Sequence, residues 1–377
     1  MGPADDSSRH GAAAFEVVEL DAWERVAPLR DEWDALLAES PDASLFLLHE
    51  WLDNWWAHFA SGRRLAVLVA RERGRLAAAL PLIEERGAMF GRPIRLLRSM
   101  TNDHSFRFNA LARRDGGPAL AALWTYLRGR TRPWDVLRLE EIPHDRCTLE
   151  PFLAAARGDG AFVGASRQLD VPYLPIEGSW AEYHASLSKN MRANLRKKGR
   201  RLSEEGAVAF RSVRAREDVA SVLQTGLVLE SSGWKAQEGS AIVSDSNLTS
   251  FYSRWAEIAA SRGWLRLSFL DVNGAPVAFD FSTLYGGCYY DLKMGYDPAW
   301  ERFSVGQLLK ARILEACFED GVAEYDFLGA SMRAKDDWMP RKRGHDWWFV
   351  FRRSLTGRAL HFLKFTATPM AKRLRGH

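Results

Sequence analysis

The sequence predicts an α/β protein built from two related domains in tandem, each a mixed central sheet flanked by helices. The chain has 377 residues, long for one hydrophobic core, and two domains are the ordinary expectation at that length. Two hairpin signals stand far apart, turning at Arg73-Gly74 and at Asn273-Gly274, so the turn glycines lie 200 residues apart. Asn-Gly between alternating apolar runs is the strongest short hairpin signal. After each hairpin comes the same order of strand, loop, helix and strand, and Gly87 and Gly287, closing the two hairpins, keep the same offset. A period this long marks a duplicated domain, since solenoid repeats are far shorter.

Residues 1–14 are small, polar and without period, and are read as disordered. The first domain spans residues 15–170. Helical periodicity covers Trp23–Ala38 and Leu48–Phe59. The hairpin RLAVLVARERGRLAAALPLIEE follows, then a short strand Ile94–Leu97 and the polar segment TNDHSFRFN. Helix Ala119–Arg128 and strand WDVLRLEEI close this domain. The segment VPYLPIEGSW carries two prolines and is expected to be an extended crossover. The second domain spans residues 171–351. Ser179 and Glu182 form an S-x-x-E capping box that opens a helix continuing into a basic stretch. Helices over Glu217–Leu229 and Leu248–Ser261 lead to the second hairpin. Strand CYYDLKMGY, helix GQLLKARILEACFEDG and strand AEYDFLG complete the plan.

The net charge is +4 and the pI about 9.0, too mild for total charge to imply nucleic-acid binding. The charge is clustered instead. Seven Lys or Arg and no acid lie between Lys189 and Arg201. Leu187, Met191, Leu195 and Leu202 share one helical stripe, and Lys189, Arg192, Arg196, Lys197 and Arg200 fall opposite. Residues 352–377 form a second basic region, an amphipathic tail with Leu355, Leu360, Phe362, Leu363 and Phe365 among its arginines and lysines. For both regions the alternative is a docked helix with a solvated basic side. Cys147, Cys288 and Cys317 are odd in number and lack a CxxC, so neither a disulfide framework nor a metal site is expected. No secretory signal and no apolar run of the ~20 residues needed to span a bilayer is visible. The expected location is the cytoplasm, with peripheral contact on the inner face of the cell membrane as an extension of that.

The loop and helix YDPAWERFSVGQLLKARILEACFEDG suggest an anion site. Gly306 sits at the helix start, where free N–H groups and the positive dipole end face outward, and Arg302 lies four residues ahead. Ser304, Val305, Gly306 and Gln307 with Arg302 are the candidate binders of a phosphate or pyrophosphate.

Three segments together resemble a known group: SLSKNMRANLRKKGRRLSEEG at 186–206, RFSVGQLL at 302–309 and YDFLGASMRAKDDW at 325–338. They are similar to the BioF2-like/CelD group of the Gcn5-related (GNAT) acetyltransferase superfamily, relatives of the Fem peptidyltransferases. The resemblance covers roughly residues 170–350 and implies tandem GNAT-like domains, the first degenerate and the second catalytic. It also implies that acyl-CoA binds at the helix start as a co-substrate, with no permanently bound cofactor. Two positions depart from the pattern: Val305 replaces the usual proline before the helix glycine, and Ala334 the usual tyrosine before the lysine.

Acyl transfer to an amine needs a path for the amine's proton, donors for the oxyanion and cations for the donor's phosphates. Asp291 and Asp326, each between apolar and aromatic neighbours, are the carboxylate candidates for the base. His104 is a further base candidate if its loop reaches the cleft between domains, and Lys335 can hold a phosphate or the tetrahedral anion. Asp103, Glu230, Trp234, Tyr290 and Trp338 are the candidate substrate wall. For each carboxylate the alternative is a structural, hydrogen-bonded role. The expected function is an acyl-CoA-dependent N-acyltransferase acting on an amine, with a sphingoid-type lipid amine or an amino sugar as acceptor. The alternatives are a Fem-like transferase using aminoacyl-tRNA and a non-enzymatic membrane or nucleic-acid binding protein. The first lacks support from any long helical arm in the second half, and nucleic acid is not an expected partner.

Overall fold

The computed structural model describes residues 15–214, 219–232 and 245–370. The expected disordered segment 1–14 and Trp234 lie outside the described residues. Two sheets organise the rest. A four-stranded antiparallel sheet runs in the order Glu16–Leu20, Val67–Glu72, Arg75–Leu80 and Leu111–Ala112. An eleven-stranded mixed sheet holds the other strands and passes through both halves of the chain.

The duplication is visible in the backbone. Arg73 and Gly74 have φ of 51° and 80°, and Asn273 and Gly274 have 51° and 79°, so both hairpins turn with positive φ at both central residues. The second turns of each half also match, but not at the expected glycines. Gly87 lies inside strand Leu82–Met89, and the counterpart of the Gly286–Gly287 turn is Phe90–Gly91. In each half a strand is followed by a helix and a parallel partner. Arg92–Ser99 pairs parallel with Val136–Pro143 across helix Gly117–Gly129. Cys288–Tyr296 pairs parallel with Glu324–Asp326 across helix Val305–Glu319.

The halves exchange their last strands. Phe162–Pro175 leaves the first half and pairs antiparallel with Glu324–Asp326, and Arg341–Phe351 returns to pair with Val136–Pro143. These two long strands also pair with each other from end to end. The division at 170/171 read from the sequence therefore falls inside a strand that belongs to both halves. A cluster of buried charge seals the same region. Arg107, fully buried, donates to Asp326 at 2.5 Å, and Arg343 pairs with Glu324 at 2.9 Å and Asp145 at 2.8 Å. Arg146 adds a 3.0 Å pair to Glu324.

Several elements differ locally from expectation. Pro28 breaks the predicted Trp23–Ala38 helix into Trp23–Val26, a tight turn at Ala27–Leu29 and Arg30–Glu39. The capping box at Ser179 is present, but its helix ends at Ser186. Ser188 then caps a separate helix, Lys189–Glu205, by accepting from the Met191 N–H at 3.1 Å. Met191 and Leu202 are buried on one side, and Lys189, Arg192, Arg196, Lys197, Arg200 and Arg201 are exposed on the other. The C-terminal region is helical from Leu355 and docks through Leu360.

Candidate active site

The pairing of Cys288–Tyr296 with Glu324–Asp326 stops at Tyr290 and Asp326. Beyond that point the two parallel strands splay, and the freed edge of residues 291–295 faces a gap. A pocket of about 500 Å³ fills it. The first turn of helix Val305–Glu319 lies at the pocket wall through Ser304, Val305, Gly306 and Gln307. This is the crevice at the carboxyl ends of parallel strands where open α/β sheets place ligands.

Three local features shape the gap. Leu292 is an extra residue against the neighbouring strand, since Phe281 pairs with Lys293 and Ser282 with Asp291. Such a bulge leaves one residue outside the ladder and bends the strand. Ser304 takes a left-handed conformation, φ 54°, ψ 45°, which turns the chain sharply into the helix. Gly306 faces the interior: a β-carbon there would lie 3.5 Å from Tyr296 and 3.6 Å from Met294, ordinary contact distances. Its missing side chain keeps that part of the pocket open. Gly295 has a different role. A β-carbon there would come within 2.6 Å of the Glu230 backbone, so glycine lets helix Val219–Ser232 press against the strand and bring Glu230 to the pocket.

Asp291 and Lys310 line the pocket floor. The Lys310 ammonium donates to Asp291 and to the Tyr325 hydroxyl at 2.6 Å, and lies 3.5 Å from the buried Asp280. Burial alone raises a carboxyl pKa, but the charge and hydrogen bond of Lys310 outweigh it at Asp291 and hold that group below its usual range. Asp280 is pushed up to about 8 by burial and by the Asp291 charge. One ammonium thus stands between an ionised carboxylate at the pocket and a protonated one behind it. Lys310 is a charged pocket residue that sequence reading missed. Its signal was a lysine on the buried stripe of an amphipathic helix, beside Leu309, Ile313 and Leu314.

Of the expected catalytic residues, Asp291 and Lys335 line the pocket. Lys335 folds back to donate to the carbonyls of Leu328 at 2.5 Å and Ala330 at 3.3 Å. Asp326 does not reach the pocket. It is fully buried, bonded to Arg107 and accepting from the Leu328 N–H at 2.9 Å, which is a structural carboxylate's environment. Cys288, Glu324 and Asp326 bring ligand atoms within 4.8 Å of one another, but Arg107 and Arg343 supply the positive charge there. His104 packs between Phe59 and Phe251, bonded to the Tyr252 hydroxyl at 2.9 Å, and does not line the pocket. Its loop reaches the site through Phe106 instead. Of the substrate wall, Glu230 lines the pocket, Asp103 is exposed outside it, and Tyr290 is buried against Phe46 and Arg107. Trp338 is buried behind the helix and acts through Gln307, whose side-chain oxygen accepts its indole N–H at 2.7 Å while the Gln307 amide donates to the Ala334 carbonyl at 2.9 Å. Arg302 points outward, stacked on Phe303 and 3.3 Å from Glu205. Ala334 lines the pocket.

The environment of His104 gives a pH prediction. Burial, with the Lys293 charge, lowers its pKa to about 4. The unfolded chain therefore binds a proton between about pH 6.5 and 4 that the folded chain does not, so this histidine's contribution is complete above pH 6.5 and is lost as pH falls. The raised Asp280 acts in the opposite sense, so the difference between proteins is the readout. Wild type minus His104→Gln unfolding free energy, by urea titration, is expected to fall by a few kcal/mol between pH 7 and 4. A flat difference contradicts the buried neutral imidazole.

The splayed strands, the bulge and the helix start together give the second half a GNAT-like fold. Residues 189–336 match the family model described as Acetyltransferase (GNAT) domain. Among solved structures the chain is similar to FemX, with a TM-score of 0.59 and 11% identity over 88% of this chain and 96% of that one. It is also similar to L-PGS from Bacillus licheniformis, with a TM-score of 0.50 and 13% identity over 91% and 96%. A conserved protein of unknown function from Bacteroides thetaiotaomicron gives 0.56 and 11% over 89% and 100%. At these identities the likeness is one of fold, and it extends over both halves. No curated protein matches by sequence. Among the described residues, no helix is long and apolar enough to cross a membrane.

Proposed function

We propose that the protein is an N-acyltransferase that takes its acyl group from a CoA thioester and passes it to an amine. The observation that carries this is the pocket in the strand splay with the first turn of helix Val305–Glu319 on its wall. The N–H groups of Val305 and Gly306 begin the helix without intrahelical partners and serve the donor's pyrophosphate. The thioester then lies along the open edge of strand Cys288–Tyr296, where N–H groups near the Leu292 bulge serve the oxyanion. The amine nitrogen attacks the thioester carbonyl, the C–N bond forms, the C–S bond breaks, and CoA leaves as the thiolate and takes a proton. Asp291, kept ionised by Lys310, attracts and orients the acceptor's ammonium. Its lowered pKa makes it a weak base, so the proton passes on to water at the pocket mouth. Phe106, Met294, Phe327 and Met332 give the pocket an apolar lining suited to an acyl chain or to a lipid or sugar amine.

A second donor, aminoacyl-tRNA as in Fem-type enzymes, is favoured by one observation. The exposed cations of helix Lys189–Glu205 stand beside the helix start, where Lys198 donates to the Arg302 carbonyl and Gly199 lies against Leu308. Thiol release from acetyl-CoA and palmitoyl-CoA with lipid-amine and amino-sugar acceptors tests the first reading. Release that depends on an amine supports it. No release from either thioester, with tight and steeply salt-dependent RNA binding, replaces it with the second.

A further inference from the structure

The C-terminal helix exposes large apolar side chains on the side that faces water. Leu355–Phe362 continues through the π-helical turn Leu363–Ala367, and its inner side docks through Gly357, Leu360 and Phe365. Phe365 lies over Gly164, where a β-carbon would come within 2.6 Å of its ring, so the docking is close. The outward stripe is Leu355, Arg358, Ala359, Phe362, Leu363, Thr366, Pro369 and Met370. Leu355 is 86% exposed and Phe362 54%. A solvated helix normally turns its polar residues outward; here apolar side chains lie on the outward side as well as on the docked one.

A second element adds to the same surface. The turn between strands Leu82–Met89 and Arg92–Ser99 exposes Phe90, and its neighbour Met89 packs on the small apolar cluster that holds Leu360. Of the nine large hydrophobic side chains exposed among the described residues, five belong to this turn and this helix. The exposed charges on this helix and this turn are positive. Residues 352–377 contain no Asp or Glu, Arg353 and Arg358 are exposed, and Arg86 and Arg92 are exposed beside Phe90. Apolar side chains among cations fit an interface with apolar depth and anionic headgroups.

We propose that this face, the outer side of the C-terminal helix with the Phe90 turn, is a docking surface for an anionic lipid bilayer. Leu355, Phe362 and Phe90 enter the headgroup–acyl boundary, and the arginines contact lipid phosphates. The inference stands apart from the acyl-transfer chemistry, because none of these residues lines the pocket.

The test is flotation of the full chain at low salt with phosphatidylcholine vesicles and with mixed phosphatidylcholine–phosphatidylglycerol vesicles. Wild type is expected to float with the mixed vesicles, weakly with the neutral ones, and less as salt rises. A Leu355→Glu/Phe362→Glu variant is expected to lose binding by about tenfold or more at unchanged thermal stability, since both sites are exposed. Phe90→Ser, in a separate element, is expected to weaken binding and guards against misfolding of the first variant. No flotation with mixed vesicles, or flotation unaffected by both variants, overturns the proposal. A dimer in sedimentation that dissociates in the helix variant, without vesicle binding, also overturns it and assigns the face to self-association.

Discussion

Arg107→Met is expected to lower unfolding free energy by about 3–5 kcal/mol. Arg107 is fully buried and faces Asp326 at 2.5 Å, Glu324 at 3.7 Å and Asp42 at 3.8 Å. Asp42 comes from the first half and the two others from the second. Removing the guanidinium leaves these carboxylates together in a region of low dielectric, with Arg343 and Arg146 as the remaining cations. Urea unfolding measures the loss. The companion substitution Asp326→Asn separates roles: a structural carboxylate lowers stability while the rate of a purified, folded sample stays near wild type. A large fall in kcat with stability intact would return Asp326 to the catalytic list.

Lys310→Met is expected to cost a similar amount, about 3–5 kcal/mol, by stranding Asp291 and Asp280 without their cation. The pH dependence distinguishes this from a simple packing defect. Without Lys310 the folded-state pKa of Asp291 rises above its unfolded value. A raised carboxyl is stabilising in its protonated form, so the deficit relative to wild type narrows as pH falls from 7 toward 5. Adding Asp291→Asn to Lys310→Met is expected to recover part of the loss, because it removes the stranded charge. A deficit constant with pH and untouched by the second substitution would show that the methionine's shape is the cause.

The sequence exposed what is local. The Asn273-Gly274 turn, strand Cys288–Tyr296 and the helix opening at Val305 follow from turn chemistry, period and capping within a few residues, and all three stand where expected. The pocket-facing run Ser304–Gln307 was legible for the same reason. What stayed hidden depends on distant partners. Asp326 sits between Tyr325 and Phe327, which announces burial, but its partner Arg107 is 219 residues away, and without it a buried carboxylate reads as a base. His104 was expected near the cleft from the duplication, yet Phe59 and Phe251 enclose it and its neighbour Phe106 fills the place at the site. The strand exchange between Phe162–Pro175 and Arg341–Phe351 leaves no local trace, because nothing within either segment says which half it pairs with. Lys310 left a trace that periodicity treats as an exception. A lysine among Leu309, Ile313 and Leu314 passes for a side chain that reaches solvent past its neighbours.

The central claim is that the first turn of helix Val305–Glu319 receives the phosphates of an acyl-CoA. Gly306→Asp tests it with little damage to the fold, because a β-carbon at that position meets its neighbours at ordinary distances of 3.5 Å and more. The added carboxylate occupies the mouth of the pocket and repels an incoming anion. Calorimetric titration with acetyl-CoA is expected to show saturable binding to the wild type, weakened by about tenfold or more in Gly306→Asp at unchanged thermal stability. Equal binding by both proteins, or none by the wild type, contradicts the claim.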